Sequence, residues 1–404
     1  MSFQEVVILG HTGNVGSELV RQIVELDGVG RGHEDPTRIV GAANTAGFAV
    51  CHCGFETLVG EGKPLDSVSD LADRKAFESL PGFTRYKSGP DKVKERYDEV
   101  IEAVREAGLA GEVVYVDATS AGSDEHTAAW REMHQAVLDS GDKLVTVNKN
   151  PLALSRLSDF HRLVNDRRRY GFNGTVMAGG DAVRFLIECK DLSEAVYGAQ
   201  GCFSGTLGYI TSELHAGRPF SEIVRQAKAE GITEPRPQDD LNGLDVMRKL
   251  LILARSAGCE VDGDDLELEP FIPDEYTDIA DVDQFLDKIS ELDDVMKAKI
   301  DAAKANGNVL RYVAGFTSGA GITLDNKKPD TLAVGFQEVA PDSPLGGLDG
   351  TANMIEIYSN LRAPKGGDGD CPHVIQSKGA GVPRTAAAIR ANLLQFLERN
   401  TNTP

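Results

Sequence analysis

The chain has 404 residues, of which 41% are hydrophobic, and a formal net charge of −21. It has apolar content enough for a core and length enough for two or three domains. The acidic balance excludes nucleic acid and anionic membranes as partners, since both need basic patches, and no uninterrupted apolar run in the sequence reaches membrane-spanning length.

Val6-Val7-Ile8-Leu9 is a short buried-strand run. Before it there is no basic region or cleavage signal, so the chain is expected to be cytoplasmic. Gly10-His11-Thr12-Gly13-Asn14-Val15-Gly16 follows at once, and residues 17–24 are helical in pattern. Strand, glycine turn and helix N-terminus in that order predict a dinucleotide-binding βα unit. The glycines allow a tight turn and let backbone N–H groups approach a pyrophosphate, whose charge the helix dipole favours. The candidate cofactor contacts are Gly10, Thr12, Gly13, Asn14, Val15 and Gly16. Without a ligand the same residues would be only a tight turn.

Residues 38–43 form the second strand, and Asn44 stands where an acid for the ribose 2′-hydroxyl often lies. Asn44-Thr45 offers neither that acid nor an arginine for a 2′-phosphate, so the choice between NAD and NADP stays open. Cys51-His52-Cys53 resembles a metal clip, but no second Cys/His pair stands at zinc-site spacing. The six cysteines are scattered and read as reduced thiols. Residues 47–90 are punctuated by Gly and Pro and show no clear element.

Residues 91–106 predict an amphipathic helix, 113–117 a strand ending in Ala118-Thr119-Ser120, and 127–138 a helix. A further strand over 143–147 ends in Asn148-Lys149-Asn150-Pro151. This alternation predicts a parallel, doubly wound sheet, whose ligands bind at the carboxyl ends of the strands. Thr119, Ser120, Asn148 and Lys149 lie there, which makes them candidate cofactor and substrate contacts, although each alone is more often a turn residue.

After residue 170 the pattern changes to glycine-rich segments at 174–180 and 201–210, helices at 220–230 and 244–256, and β-like runs at 309–316 and 353–358. The acidic stretch 262–296 reads as loop plus surface helix. Gly379-Ala380-Gly381 opens a last helix, a second glycine turn that would return the chain to the nucleotide domain. The expected class is α/β, with a Rossmann-type NAD(P)-binding domain (1–170 and 373–404) and an α+β substrate and dimerisation domain (171–372).

The chemistry is read from residues 234–255. An acidic loop with Glu234, Asp239 and Asp240 runs through Asn242-Gly243 into a helix apolar nearly all round. Asp245 and Lys249, four residues apart, share its narrow polar sector. A helix of that kind is buried, so the charged pair is expected to face an internal cleft. The competing expectation is a solvated salt bridge worth little.

These residues resemble homoserine dehydrogenase over most of the chain. The resemblance rests on the N-terminal glycine turn, Val147-Asn148-Lys149-Asn150-Pro151-Leu152-Ala153, Phe203-Ser204-Gly205-Thr206 with Tyr209-Ile210, the stretch from Glu234, and Gly379-Ala380-Gly381 with Thr385-Ala386. The acidic stretch is the most specific of these. The length resembles that of the single-function form, so no fused kinase or regulatory domain is expected.

The resemblance implies NAD(P)-dependent interconversion of L-homoserine and L-aspartate 4-semialdehyde by a homodimer. It implies that Lys249 is the proton donor, with Asp245 catalytic and Lys149 beside the nicotinamide and substrate. Glu234, Asp240 and Asp245 would bind the substrate, Gly231 and Gly381 the cofactor. It further implies a backbone sodium site at Asn173, Val176, Ala178 and Gly180. The dimer would form through residues 171–183 and strands between 310 and 372.

Three departures stand out. The first turn carries an extra residue, Asn173 replaces a usual glutamate with Gly180-Asp181-Ala182 where Gly-Leu-Pro is usual, and Gly208 stands where Asn or Ser is usual. They leave room for a dehydrogenase of another hydroxy-amino acid. An acylating semialdehyde dehydrogenase would need a cysteine nucleophile with a base, for which Cys202 is the one candidate in a glycine-rich segment. A catalytically silent nucleotide sensor would not need the Glu234, Asp240, Asp245 and Lys249 set.

Overall fold

The computed structural model describes residues 4–26, 37–52, 54–55, 69–80, 82–109, 111, 113–119, 124–364, 371–378 and 381–398. Ser120, Cys53, Gly379 and Ala380 lie outside the described residues. The chain divides into two units, residues 1–179 with 381–404 and residues 180–380.

The first unit contains β1 (Gln4–Leu9), β2 (Thr37–Ala43), β3 (Gly47–Val50), β4 (Thr84–Arg85), β5 (Val114–Asp117), β6 (Lys143–Thr146) and β7 (Tyr170–Gly171). Their order in the sheet is β4-β3-β2-β1-β5-β6-β7. The five strands from β2 to β7 are parallel, and β3 and β4 extend the edge antiparallel. The parallel strands are apolar without alternation because both faces are covered, and Val6, Val7 and Ile8 are all fully buried. β1 pairs with β2 on one side and β5 on the other, so the order reverses at its carboxyl end, where the glycine turn sits.

The C-terminal helix Val382–Glu398 belongs to this unit: Ala386, Ile389, Leu393 and Phe396 pack in one core with Val6, Ile8, Leu19 and Ile23. Gln4 Nε2 also donates to Leu393 O (3.0 Å) and Gln22 Nε2 to Pro383 O (2.9 Å).

The second unit contains β8 (Val196–Cys202), β9 (Glu267–Leu268), β10 (Val309–Ile322), β11 (Thr331–Val339), β12 (Ala352–Ser359) and β13 (His373–Lys378), in the order β13-β12-β8-β10-β11-β9. All neighbours are antiparallel except β9 and β11. The expected boundaries shift for a physical reason at each end. Residues 373–378 pair with β12 and belong to the second unit, whereas residues 173–179 pack on the C-terminal helix of the first.

The acidic stretch 262–296 is more than loop and surface helix. It holds β9 and the helices Asp274–Thr277 and Val282–Lys288, and it buries Phe271, Ile272, Tyr276 and Phe285 beneath its charges. Among the described residues no helix is long and apolar enough to cross a membrane.

Candidate active site

In the second unit the helix Leu244–Ala257 is buried from Leu250 to its end, with Leu250 through Ala254 at most 1% exposed. Gly243 begins it with φ +76°, and a Cβ there would lie 2.4 Å from Tyr312 Oη. Only glycine satisfies both the left-handed turn and that approach. The Asn242-Gly243 pair is therefore the pivot at which the acidic loop turns into the helix, helped by Leu244 N–H donating to Asn242 Oδ1 (2.9 Å).

One turn in, Lys249 Nζ lies 2.6 Å from Asp245 Oδ2 and donates to the Phe203 carbonyl at 2.7 Å. The Lys249 side chain is 12% exposed and that of Asp245 41%. This is not a solvated surface pair: the ammonium is drawn in against the end of β8 and the carboxylate stands at the opening. Both line a cleft of about 480 Å³ together with Glu234 and Asp240.

The loop is fixed to the neighbouring helix Gly205–His215, which Ser204 caps by accepting from Leu207 N–H. Thr206 Oγ1 lies 2.9 Å from Ile232 O and 3.1 Å from Asp240 Oδ1, while Glu234 N–H donates to Asp240 Oδ2 (2.8 Å). Burial, the largest cause, pushes the Asp240 carboxyl up to about 6; the Glu234 N–H and Thr206 bonds oppose it and the charges of Glu234 and Asp245 add to it. The hydroxyl has one proton for two acceptors. With Asp240 protonated the conflict disappears, because the carboxyl then donates to Thr206 and Thr206 donates to Ile232 O.

The departure at Gly208 has a steric account: a Cβ there would stand 2.9 Å from Gly350 O, so a bare backbone lets the loop before Thr351 close on the cleft. Gly231 also lines the cleft, in a left-handed turn (φ +69°) that ends the helix Phe220–Ala229. Asn353 and Lys378, on β12 and β13, line it too, and no sequence motif pointed to them. Cys202 faces away, into an apolar cluster with Val313, Leu345 and Met354, and burial pushes its thiol up to about 12. A thiol so buried and un-ionised is no nucleophile, which removes the acylating alternative.

The first unit is tested for a dinucleotide by its glycine turn and its unpartnered amides. Gly10 has φ +80°, and a Cβ on Gly16 would lie 2.2 Å from Gly10 O, so the turn is as tight as it can be. The helix Asn14–Leu26 starts directly after Gly13 and presents its first N–H groups there without intrahelical partners. The extra residue is accommodated by His11, which is buried, donates through Nδ1 to Ala43 O (3.0 Å) and meets the edge of Phe77. Its burial lowers the imidazole to about 4, so the turn carries no charge of its own.

At the carboxyl ends of β2 and β6, Asn44 and Asn148 use Oδ1 to accept local N–H groups. That leaves the Nδ2 of each buried and unpartnered, two orphaned donors that fit a bound dinucleotide. Thr119 donates its hydroxyl to Asp117 Oδ1 (2.5 Å). Asp117 is also held by His134 Nε2 (3.0 Å) in a fully buried knot that no sequence motif signals. Lys149 follows β6 as the N-cap of the short helix Asn150–Ala153. At the other end of the unit, Gly381 O accepts from Thr385 N–H (3.0 Å) at the start of the C-terminal helix.

A doubly wound sheet with a glycine turn at its switch point, and a cleft that sets a lysine among carboxylates, define an NAD(P)-dependent oxidoreductase acting on a CH–OH group. A family model for homoserine dehydrogenase matches residues 183–394. The chain is 33% identical to a homoserine dehydrogenase of Emericella nidulans over 85% of its own length and 89% of that protein's. It is 35% identical to bifunctional aspartokinase/homoserine dehydrogenase 2 of Escherichia coli over 61% of its length, and this match spans 29% of that longer protein. In fold it resembles a hyperthermophilic archaeal homoserine dehydrogenase in complex with NADPH, with a TM-score of 0.67 at 19% identity over 99% of this chain and 98% of that one. The chain belongs to the homoserine dehydrogenase family.

Proposed function

We propose that the chain interconverts L-homoserine and L-aspartate 4-semialdehyde, with the roles of its residues as follows. The observation that carries the reading is the Lys249 ammonium, held at 2.6 Å by Asp245 and at 2.7 Å by the Phe203 carbonyl on the wall of an acidic cleft. When bound, the nicotinamide supplies or accepts the hydride at the substrate's terminal carbon. As aldehyde becomes alcohol, the carbonyl oxygen develops alkoxide charge, which Lys249 Nζ stabilises and then protonates. Asp245 orients Lys249 and the substrate hydroxyl. Glu234 and ionised Asp240 hold the substrate's ammonium group.

In this reading the turn from Gly10 to Gly16 takes the pyrophosphate, and Asn44 and Asn148 donate their free amides to the dinucleotide. Ser120, Thr119, Gly231 and Gly381 complete its contacts, with Lys149 at the nicotinamide. The sodium site at Asn173, Val176, Ala178 and Gly180 belongs to the same reading. Met177, Ala178 and Gly179, within that segment, are consecutive left-handed residues. Asn173 there offers no carboxylate. A homodimer in the cytoplasm completes the proposal, and light scattering at micromolar concentration checks it: a monomer mass would remove the dimer.

Initial rates at 340 nm with L-homoserine and near analogues, each with NAD⁺ and NADP⁺, test the activity. Homoserine should be turned over in preference to shorter and longer hydroxy-amino acids. Preference for another of them would replace the substrate, and no turnover of any would overturn the reading.

A further inference from the structure

Two strand ends of the first unit carry residues that the dinucleotide reading uses: Thr119 just past β5, and Asn148 and Lys149 just past β6. One buried carboxylate stands behind both. We propose that Asp117 is a positioning residue for the nicotinamide half of the dinucleotide, and that His134 holds it in that role. This rests on the homoserine dehydrogenase reading, which puts a dinucleotide on this unit.

Asp117 is the last residue of β5, fully buried, and stands opposite Thr146, the last residue of β6. Its two oxygens serve the two strand ends. Oδ1 accepts the N–H (3.1 Å) and the hydroxyl (2.5 Å) of Thr119. Oδ2 accepts the Thr146 hydroxyl (3.3 Å), whose oxygen in turn accepts Asn148 N–H (3.0 Å). Asn148 Oδ1 then accepts Asn150 N–H (3.1 Å), which leaves Nδ2 buried and unpartnered. The direction of that orphaned donor is thus set by a run of bonds that begins at Asp117.

His134 comes from the helix Thr127–Asp139 and is also fully buried. Its Nδ1 lies 2.8 Å from Tyr170 Oη and its Nε2 3.0 Å from Asp117 Oδ2. Burial raises the Tyr170 hydroxyl well above its ordinary value, so it keeps its proton and donates it to Nδ1. A neutral imidazole then carries its own proton on Nε2, where Asp117 receives it. Burial is the largest influence on Asp117 and favours the protonated form, but the bonds from His134 and Thr119 outweigh it and hold the carboxyl below its ordinary value.

A buried ionised network is often no more stable than apolar side chains of the same volume, so its use lies in the geometry it imposes. What this one orients lies across β1 from Asn44 at the end of β2. The β2 side of the switch point takes the adenosine ribose, which leaves β5 and β6 to the nicotinamide half.

The test measures Kd of the full-length protein for NADPH and NADH, and for 2′,5′-ADP and ADP, which carry the adenosine half alone. Thr146→Val keeps the volume and removes only the hydroxyl between Asp117 and Asn148. It should weaken the preferred whole cofactor by about three- to tenfold and Asp117→Asn by about tenfold or more, while Kd for the matching adenosine fragment stays within about twofold. His134→Gln, which keeps a donor toward Asp117, should bind more tightly than His134→Leu. Thermal melts accompany each variant, and if Asp117→Asn does not fold, Thr146→Val decides. An unchanged Kd in Thr146→Val, or an equal loss for whole cofactor and fragment, would overturn the positioning role. Either result in a protein that binds NADPH or NADH when unaltered leaves the homoserine dehydrogenase reading standing, whereas an unaltered protein that binds neither removes both.

Discussion

Thr206 holds Asp240 across the cleft wall: its hydroxyl lies 3.1 Å from Asp240 Oδ1 and 2.9 Å from the Ile232 carbonyl, with a single proton between them. The carboxyl is raised from 3.8 to about 6, chiefly by burial, so the folded state binds more protons than the unfolded state between about pH 4 and 6. This group's contribution to stability therefore falls as pH rises through that window. Substrate binding moves the other way, because only ionised Asp240 attracts the ammonium. KM for homoserine should fall as pH rises through about 6, and Asp240→Asn should flatten that step. A step that persists unchanged in Asp240→Asn would assign it to another group.

Gly243→Ala should destabilise the protein by roughly 1–3 kcal/mol, because it forces a side chain into a left-handed turn and toward Tyr312 Oη at 2.4 Å. The helix that carries Lys249 begins there, so turnover should fall as well. Urea unfolding with parallel assays checks this. Native-like stability would mean that the turn relaxes without cost.

The C-terminal helix is core to the first unit, not an appendage. Leu393→Ala should cost roughly 2–5 kcal/mol, the range for a large buried aliphatic side chain, and removal of residues 379–404 should abolish cofactor binding along with stability. Denaturation followed with and without NADPH measures both. A folded truncation with undiminished NADPH affinity would contradict it.

What was legible in the sequence was local. The glycine turn, the helix Leu244–Ala257 and the Asp245–Lys249 pair depend on residues within a few positions of one another, and propensity and periodicity report those. Asn353 and Lys378 were not legible, because they reach the cleft through pairing of β8, β12 and β13, more than 100 residues after Lys249 for the nearer of them. The glycine turn next to β13 points to the first unit and masks a strand whose partner is β12. The short strands β3 and β4 were lost in residues 47–90 because strands of four and two residues carry almost no period. Asp117 and His134 are likewise joined only by the fold.

Cys202→Ala should retain turnover, with some loss of stability from the vacated core volume, and neither phosphate nor coenzyme A should stimulate the unaltered enzyme. Loss of activity in a folded Cys202→Ala variant would revive a thiol mechanism.

Lys249 is the proposed proton donor. The most direct measurement is kcat for homoserine with NADP⁺ in Lys249→Ala and Lys249→Arg, with thermal melts to confirm folding. Lys249→Ala should lower kcat by at least ~10²-fold while NADP⁺ affinity barely moves, and Lys249→Arg should not restore it, because a guanidinium does not release its proton at working pH. A well-folded Lys249→Ala with near-normal turnover would contradict both the site and the mechanism.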